Sequence, residues 1–280
     1  MEWIRSINQA IAYMEEHLLE DVQGNEIAEY VHISLFHFTR TFGALTQMTP
    51  GEYIRKRRLS LAGEELTKGT VKVIDVALKY GYNSPESFSK AFTRFHGITP
   101  NQAKNGGTIK SFNRCTLKII MEGGTLMDYR IEKMESFKVV VRTREFDDVT
   151  FDKGIPAFWD EYCGRRLYEK VPCHLGVCAQ EKMGKKAFKY GIGCCSDNVT
   201  KIPEGFEVWE LPAYTWAIFK CVGPTPNCIR DMWDVIYKEW LPGSDYEMIQ
   251  DYDVENYLPG DNQSEDYVSE IWFPVKEKDK

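Results

Sequence analysis

The sequence of 280 residues lacks several features that mark specialised classes of protein. No uncharged apolar run approaches the ~18 residues that a membrane-spanning helix needs, so we expect no membrane partner. The first residues, Met1-Glu2-Trp3-Ile4-Arg5, contain neither a basic segment nor an apolar one. They do not resemble a secretion signal, and we therefore expect a cytoplasmic protein. Hydrophobic residues make up 43% of the chain, which excludes wholesale disorder.

Cysteine is missing from the first 114 residues, and the eight cysteines that follow include no Cys-x-x-Cys pair. His174 is the only histidine near them. A zinc site would need closer ligand spacing, and a chain of this length does not need disulfides to fold. We therefore expect structural free thiols, with no metal site and no cofactor.

The motifs of several large enzyme classes are missing as well, namely Gly-x-Ser-x-Gly, Gly-x-x-x-x-Gly-Lys and His-Glu-x-x-His. The basic segment Gly184-Lys185-Lys186 is expected to be a solvated loop. We identify no catalytic residue from these patterns and expect a protein that is not an enzyme.

The net charge of −7 is unevenly distributed along the chain. Residues 1–110 carry 13 basic and 12 acidic side chains, a net charge of +1, whereas residues 111–280 carry 22 and 30, a net charge of −8. An acidic chain rarely binds nucleic acid. Here the acidic residues belong to the second part, and the first part includes the basic cluster Arg55-Lys56-Arg57-Arg58. The charge distribution therefore permits nucleic-acid binding by the N-terminal part.

The N-terminal part contains one pattern twice, fifty residues apart. Ser34, Phe38, Phe42 and Thr49-Pro50 are matched by Ser84, Phe88, Phe92 and Thr99-Pro100. Each copy follows a short apolar helix, and its serine is a predicted N-cap. An amphipathic helix with Ile4, Ile7, Ile11, Met14 and Leu18 on one face precedes them. The pattern predicts two helix-turn-helix units joined by a helix over 51–66.

Helical phase predicts which side chains of each second helix point outward. Because the phenylalanines form the buried face, the outward set is Phe36, His37, Thr39, Arg40 and Gly43 in the first copy, and Pro85, Glu86, Ser89, Lys90 and Thr93 in the second. Two such helices about 34 Å apart can enter successive major grooves of one duplex. An ordinary helical bundle with a polar surface is the alternative, and two copies in matched phase favour double-stranded DNA as the partner.

These units resemble the AraC/XylS family of bacterial transcription regulators over residues 4 to about 104. The second copy carries the motif most completely, as Ile74-Asp75-Val76-Ala77, Gly81-Tyr82, Ser87-Phe88-Ser89-Lys90-Ala91-Phe92 and Gly97-Ile98-Thr99-Pro100. The resemblance implies base and phosphate contacts at positions 36, 39, 40, 85, 86 and 90. By their chemistry, Arg40 would read guanine, Phe36 a thymine methyl and Glu86 cytosine, while Lys90 would contact phosphate. Pro85-Glu86 departs from a basic or amide pair, which predicts weaker readout by the second unit.

The part after about residue 108 alternates like strands and also repeats itself. Predicted strands lie at 116–122 and 126–134 around the turn Gly123-Gly124, then at 137–141, 174–181 and 188–195, with a helix at 155–162. A second series has strands at 206–211, 214–221, 247–257 and 267–275, with a helix at 227–240. The sequence thus predicts an all-α tandem helix-turn-helix domain followed by an α+β domain, a pseudo-twofold antiparallel sheet with two helices. We place the domains at 1–105 and 126–276, with a linker and first strand at 106–125.

The second part resembles the GyrI-like small-molecule-binding domain over about 126–276. The similarity is carried by Gly205-Phe206-Glu207-Val208-Trp209-Glu210-Leu211-Pro212-Ala213, by Lys220-Cys221-Val222-Gly223-Pro224, by Trp240-Leu241-Pro242 and by Ser269-Glu270-Ile271-Trp272-Phe273-Pro274-Val275. It implies an effector that is amphipathic or cationic.

Glu270 is the sharpest predicted ligand residue. Strand alternation puts Glu270 and Trp272 on one face, where a carboxylate and an indole would hold a cation. A solvated strand carboxylate is the alternative by pattern alone, and the resemblance to the family favours the ligand site. Further candidates share aromatic character and are equally explained as core residues: Trp159, Trp233, Tyr190 and Trp216.

We therefore expect a DNA-binding transcription regulator that senses a small molecule, with RNA polymerase as a further candidate partner. One alternative is a hydrolase or drug-sequestering protein that uses Glu270 and is targeted by the DNA domain. Another is a constitutive DNA binder whose second domain binds other proteins.

Overall fold

The computed structural model describes residues 2–117, 127–147, 150–179 and 187–278. They form two compact units: the helical unit, Met1–His32 with Thr46–Lys118, and the sheet unit, Ile33–Leu45 with Ile119–Lys280. The strand predicted at 116–122 lies mostly outside the described residues, and the predicted turn Gly123-Gly124 lies entirely outside them. The early segment Ile33–Leu45 is thus part of the sheet unit.

The first part of the chain is helical, and the two predicted helix pairs are present. The helices are α1 (Glu2–Glu16), α2 (Gly24–Tyr30), α3 (Leu35–Thr46), α4 (Pro50–Leu66), α5 (Val73–Lys79), α6 (Pro85–His96) and α7 (Pro100–Lys104). The second helix of each pair is α3 or α6, and we call these two the recognition helices because DNA contacts are expected there. Both serine N-caps are confirmed: Ser34 Oγ accepts from the His37 amide at 3.3 Å, and Ser84 Oγ from the Ser87 amide at 3.2 Å.

Each Thr-Pro pair, predicted to end a unit, also begins the next helix. Thr49 Oγ1 accepts from the Glu52 amide at 3.1 Å, and the Glu52 carboxylate accepts from the Thr49 amide at 3.0 Å. The equivalent bonds join Thr99 to Gln102. Proline fits the first helical turn because its missing N–H would have no helical partner there. These capping boxes start α4 and α7 sharply.

The core of the helical unit is formed by the faces that the sequence predicts. Phe88 and Phe92 of α6 are fully buried, with ring centroids 5.4 Å apart. They belong to a cluster with Leu59, Ala62, Leu66, Val76 and Ala77. On α1 the predicted face is buried at Ile7, Ile11, Met14 and Leu18.

The second part forms one antiparallel sheet. Its strands are β1 (Tyr129–Met134), β2 (Phe137–Phe146), β3 (Leu175–Ala179), β4 (Phe188–Cys195), β5 (Glu207–Leu211), β6 (Tyr214–Val222), β7 (Tyr246–Met248), β8 (Tyr252–Tyr257) and β9 (Val268–Glu277). The helices are α8 (Phe151–Gly164) and α9 (Asn227–Val235), the latter extended by a π-helical turn, Ile236–Trp240. The strand predicted at 247–257 is two strands, β7 and β8, which both pair with β9.

The sheet has the predicted pseudo-twofold arrangement. Its strand order is β1-β6-β9-β8-β3-β4-β2-β5, with β7 beside β9. The series β2, α8, β3, β4 is repeated as β6, α9, β8, β9, so that β3 and β8 meet at the centre of the sheet. The predicted fold class is therefore confirmed.

Strand register assigns side chains to the two faces, because directly paired residues share a face. Glu255 of β8 pairs with Ile271 of β9 and with Gly176 of β3. Ile271 packs in one cluster with Trp233 of α9. Gly176 pairs with Ile192, which packs with Phe158 of α8. Both helices therefore cover the same face, which we call the helix face, and we call the opposite one the far face.

Candidate functional site

The recognition helix α6 presents the face that its phase predicts. Phe88 and Phe92 are buried, whereas Glu86, Lys90 and Thr93 are exposed. Pro85 and Ser89 are half-buried on the same outward side. The side chains predicted to contact DNA are thus accessible on this helix, and their DNA contacts remain a prediction.

The recognition helix α3 differs from α6. Phe38 and Phe42 are buried as predicted, but Phe36, His37 and Thr39 are only 2%, 4% and 3% exposed. The prediction that these three side chains point to solvent is wrong in this structure. The reason is tertiary, because α3 packs against the helix face of the sheet and is buried on both of its sides.

Contacts along the whole of α3 hold it on the helix face. At its start the Ser34 amide donates to Gln250 Oε1 at 2.9 Å. Phe36 packs against Phe188, with ring centroids 4.6 Å apart, in the cluster that contains α8 side chains. Near its end Ala44 packs in the cluster that contains α9 side chains. We call the site that α3 fills the central groove, which is lined by Cys178, Tyr190, Trp233, Tyr237, Asp253 and Glu255.

Arg40 places its guanidinium at the centre of this groove. One nitrogen lies 3.5 Å from Asp253 Oδ2 and another 3.3 Å from Glu255 Oε1. The guanidinium carbon lies 4.3 Å from the Trp233 ring centroid and 4.5 Å from that of Phe36. Two carboxylates and two aromatic faces thus surround one planar cation.

Hydroxyl groups hold Glu255 in position. Its Oε2 accepts from Tyr190 Oη and from Tyr257 Oη, both at 2.9 Å. Trp159 Nε1 in turn donates to Tyr190 Oη at 3.1 Å. A Cβ on Gly176 would lie 2.2 Å from Tyr190 Oη, so glycine leaves the room for this network. Burial and the neighbouring Glu255 raise the pKa of Tyr190, which keeps its hydroxyl a donor.

The groove favours a charged arginine and a neutral histidine. Burial opposes the charge of Arg40, but Asp253 and Glu255 outweigh it and raise the pKa of Arg40. Burial, reinforced by Arg40, lowers the pKa of His37 to about 4. The neutral His37 ring meets the Tyr237 hydroxyl, whose oxygen lies 3.2 Å from Nδ1.

Acid is therefore expected to loosen α3 from the groove. Well above pH 6.5 His37 is neutral in the packed and the released helix, and the packing has its full strength. As the pH falls from 6.5 towards 4, the released helix takes up the proton first, and at pH 5.5 packing is weakened about tenfold. Hydrogen exchange of α3 amides, corrected for intrinsic rates, at pH 7.5 and 5.5 measures this. His37→Gln should remove the difference, and equal protection of wild-type α3 at both pH values would contradict the prediction.

Glu270 lies apart from this groove. It pairs with Asn256 and Lys220 in the sheet and sits, with Trp272, on the far face, as alternation predicts. Arg130 contacts it at 2.8 Å, Asn256 at 3.0 Å and Trp272 Nε1 at 2.9 Å. Burial raises its pKa, but these three hydrogen bonds outweigh burial, so that the pKa of Glu270 is lowered.

The aromatic candidates divide between the two faces. Tyr190, Trp159 and Trp233 belong to the helix face, whereas Trp216 is buried on the far face in a cluster with Trp272. The sequence reasoning missed Asp253 and Glu255. The available sequence signal was the segment Tyr252-Asp253-Val254-Glu255, in which two acids alternate with an apolar residue on a predicted strand.

The basic cluster at 55–58 is partly internal. Arg57 pairs with Glu15 at 2.7 Å, and Arg58 donates to the carbonyl oxygen of Leu18 at 2.6 Å.

All eight cysteines lie in described parts of the chain and are free thiols. Across the ranges that the structure describes, no cluster of metal-ligating side chains occurs. No helix within those ranges is long and apolar enough to cross a membrane.

Models of two known protein families match this chain, one in each part. The model of the GyrI-like small molecule binding domain matches residues 127–276, and that of a helix-turn-helix domain matches residues 27–106.

Named relatives match about a third of this chain. The HTH-type transcriptional activator AarP of Providencia stuartii is 36% identical over 95 residues, 34% of this chain and 70% of that protein. The regulatory protein SoxS of Escherichia coli K12 is 33% identical over 99 residues, 35% of this chain and 92% of that protein. A solved structure, SAV2435 bound to tetraphenylphosphonium, is 21% identical and covers 54% of this chain and 94% of its own, with a TM-score of 0.48.

The relatives and family models support the regulator and not the alternative of a hydrolase or sequestering protein. The chain belongs to the GyrI-like small-molecule-binding family and is an AraC-type helix-turn-helix transcription regulator.

Proposed function

We propose that this regulator acts in the cytoplasm, reads a duplex site through α3 and α6, and senses a small aromatic or amphipathic cation in its central groove. The arrangement around the Arg40 guanidinium carries the proposal. Asp253 and Glu255 lie on one face of β8, and both contact the Arg40 guanidinium. The ring of Trp233 packs against the same guanidinium. Such a combination of carboxylates and aromatic faces matches the chemistry of delocalised organic cations.

The charge of the groove supports a cationic ligand over a neutral one. Asp253 is 3% exposed, and only 13% of the Glu255 side chain is accessible. Two carboxylates on one face of a largely buried site strongly favour a positive partner, because an unpaired charge removed from water is costly. Tyr190 and Trp159 extend the apolar wall beside them.

Glu270, the ligand residue expected from the sequence, remains a second candidate. Its three hydrogen-bond partners and its place on the far face favour a structural role. RNA polymerase likewise remains an expected partner, since transcription regulators of this type act on initiation.

The DNA proposal is tested by selecting bound sites from random duplexes at physiological salt with the full chain. Two short motifs about one helical turn apart are the expected result, since tandem recognition helices enter successive major grooves. Failure to enrich any motif, with or without a bound cation, would overturn sequence-specific reading.

Lys90→Ala is expected to weaken binding to all sequences to a similar degree. Lys90 is exposed on the outward face of α6, where an ammonium contacts phosphate rather than a base edge. Losing one phosphate contact should reduce the slope of log affinity against log salt by about 0.9. Lys138→Ala, an exposed lysine of the sheet unit, is the control and should leave the slope unchanged. An unchanged slope for Lys90→Ala would show that α6 does not meet the backbone there.

A further inference from the structure

The helix that is expected to read DNA fills the groove that is expected to bind the effector. Phe36, Thr39 and Arg40 were assigned to DNA by their phase in α3, and Phe36 and Arg40 instead contact the groove. One side chain cannot occupy the groove and a DNA major groove at the same time. The packed form of α3 is therefore incompatible with base readout by this helix.

The second recognition helix provides an internal comparison. It carries the same pattern of phenylalanines, yet its outward residues Glu86, Lys90 and Thr93 are exposed. Burial of the outward face is thus not a property of the repeated pattern. It is specific to α3, whose sequence carries the arginine and the extra phenylalanine that the groove accepts.

We propose that α3 is an internal competitor of the effector, with Arg40 as the built-in cation that keeps the first DNA-reading helix sequestered until an aromatic cation displaces it. This inference rests on the proposed function and adds how the effector would control DNA reading by α3. The groove that holds α3 is complete within the sheet unit, since Asp253, Glu255 and Trp233 all belong to it.

Charge and shape both argue for competition at one site. Arg40 already lies against both carboxylates, so a second cation can reach the same carboxylate contacts only when the guanidinium leaves. Phe36 occupies the aromatic part of the groove, where it meets Phe188 at 4.6 Å. An aromatic cation carries both features, a positive charge and ring surface, and can replace both side chains at once.

Competition fixes the direction of the coupling. A ligand that binds only when α3 is released shifts the population towards the released helix. The cation should therefore raise DNA affinity, by about 5- to 150-fold if the coupling is of the usual size. By reciprocity, the cognate duplex should raise affinity for the cation by the same factor.

Hydrogen exchange on the full chain tests the displacement directly, with tetraphenylphosphonium chloride as the probe. Saturating probe is expected to speed exchange of the peptide covering 33–46 about tenfold or more, since each tenfold shift in population appears as a tenfold change. The peptide covering 85–96 is the internal control and should not change. Saturable binding of the probe without faster exchange of α3 would overturn the inference.

Two variants test the same idea from opposite sides. Arg40→Ala removes the internal cation and is expected to bind the probe about tenfold more tightly than the wild type. Glu255→Gln changes a groove residue that has no assigned DNA contact. Because it weakens the hold on Arg40, it is expected to raise DNA affinity without any ligand. Glu210→Gln makes the same charge change at an exposed carboxylate of the same sheet and should not alter DNA affinity. Unchanged probe affinity in Arg40→Ala would contradict competition.

The outcomes separate this inference from the proposed function. A chain that binds both duplex and probe, with no effect of either on the other, keeps the proposed function and loses the competition. A chain that binds no probe, even as Arg40→Ala, loses the effector site itself. Stronger DNA binding with the probe, together with faster exchange of α3, supports both.

Discussion

Replacing Arg40 with alanine is expected to lower the free energy of unfolding of the sheet unit by about 3–5 kcal/mol at pH 7. Arg40 forms ion pairs with Asp253 and Glu255 at 3.5 and 3.3 Å, and its guanidinium lies over the Trp233 ring. Removing it leaves two carboxylates in a site where little water reaches them. The midpoint and slope of guanidinium chloride unfolding, followed by tryptophan fluorescence, measure the loss.

An exposed ion pair of the same unit is the control for Arg40→Ala. Lys138 and Glu210 lie 3.7 Å apart on neighbouring strands, and both side chains are more than half exposed. Lys138→Ala should cost at most about 1 kcal/mol, because water replaces the partner. Equal losses of unfolding free energy for Arg40→Ala and Lys138→Ala would show that Arg40 is not a buried partner of the acids.

Saturating tetraphenylphosphonium should restore part of the stability lost in Arg40→Ala, since a ligand that binds the folded form stabilises it.

The second large effect concerns ligand affinity. In a chain that already carries Arg40→Ala, adding Glu255→Gln is expected to lower affinity for tetraphenylphosphonium by about 30-fold, or about 2 kcal/mol. The background removes the internal competitor, so that the measurement reports the groove alone. Glu255 is held by Tyr190 and Tyr257, both at 2.9 Å, and therefore keeps its position when the ligand arrives. Isothermal titration calorimetry measures the change.

Glu270→Gln in the same background separates the two candidate carboxylates. It removes the same charge from the same sheet, but on the far face, and is expected to change affinity by less than about twofold. A larger loss for Glu270→Gln than for Glu255→Gln would place the ligand on the far face, where the sequence first predicted it. The two variants therefore decide between the two faces of the sheet.

Helical phase in α6 and strand alternation in β9 were predictable because each reflects a local period. Phe88 and Phe92 recur at four-residue spacing, and the core that they form needs nothing beyond their own unit. Glu270 and Trp272 share a face because side chains alternate along any strand. The pseudo-twofold order of strands followed from the repetition of strand, helix and two strands.

Tertiary structure determines the burial of the predicted outward face of α3. Its sequence predicts the same outward face as α6, since phase specifies which residues lie together but not what covers them. Phe36 is buried and Arg40 is mostly covered because a groove with two acids and an aromatic wall is formed by residues some 200 positions later in the chain. That groove itself depends on the pairing of β3 with β8, which brings Gly176 opposite Glu255. The sequence by itself thus determined the helices, the strands and the family, while long-range packing determined which recognition helix is free and which carboxylates face the groove.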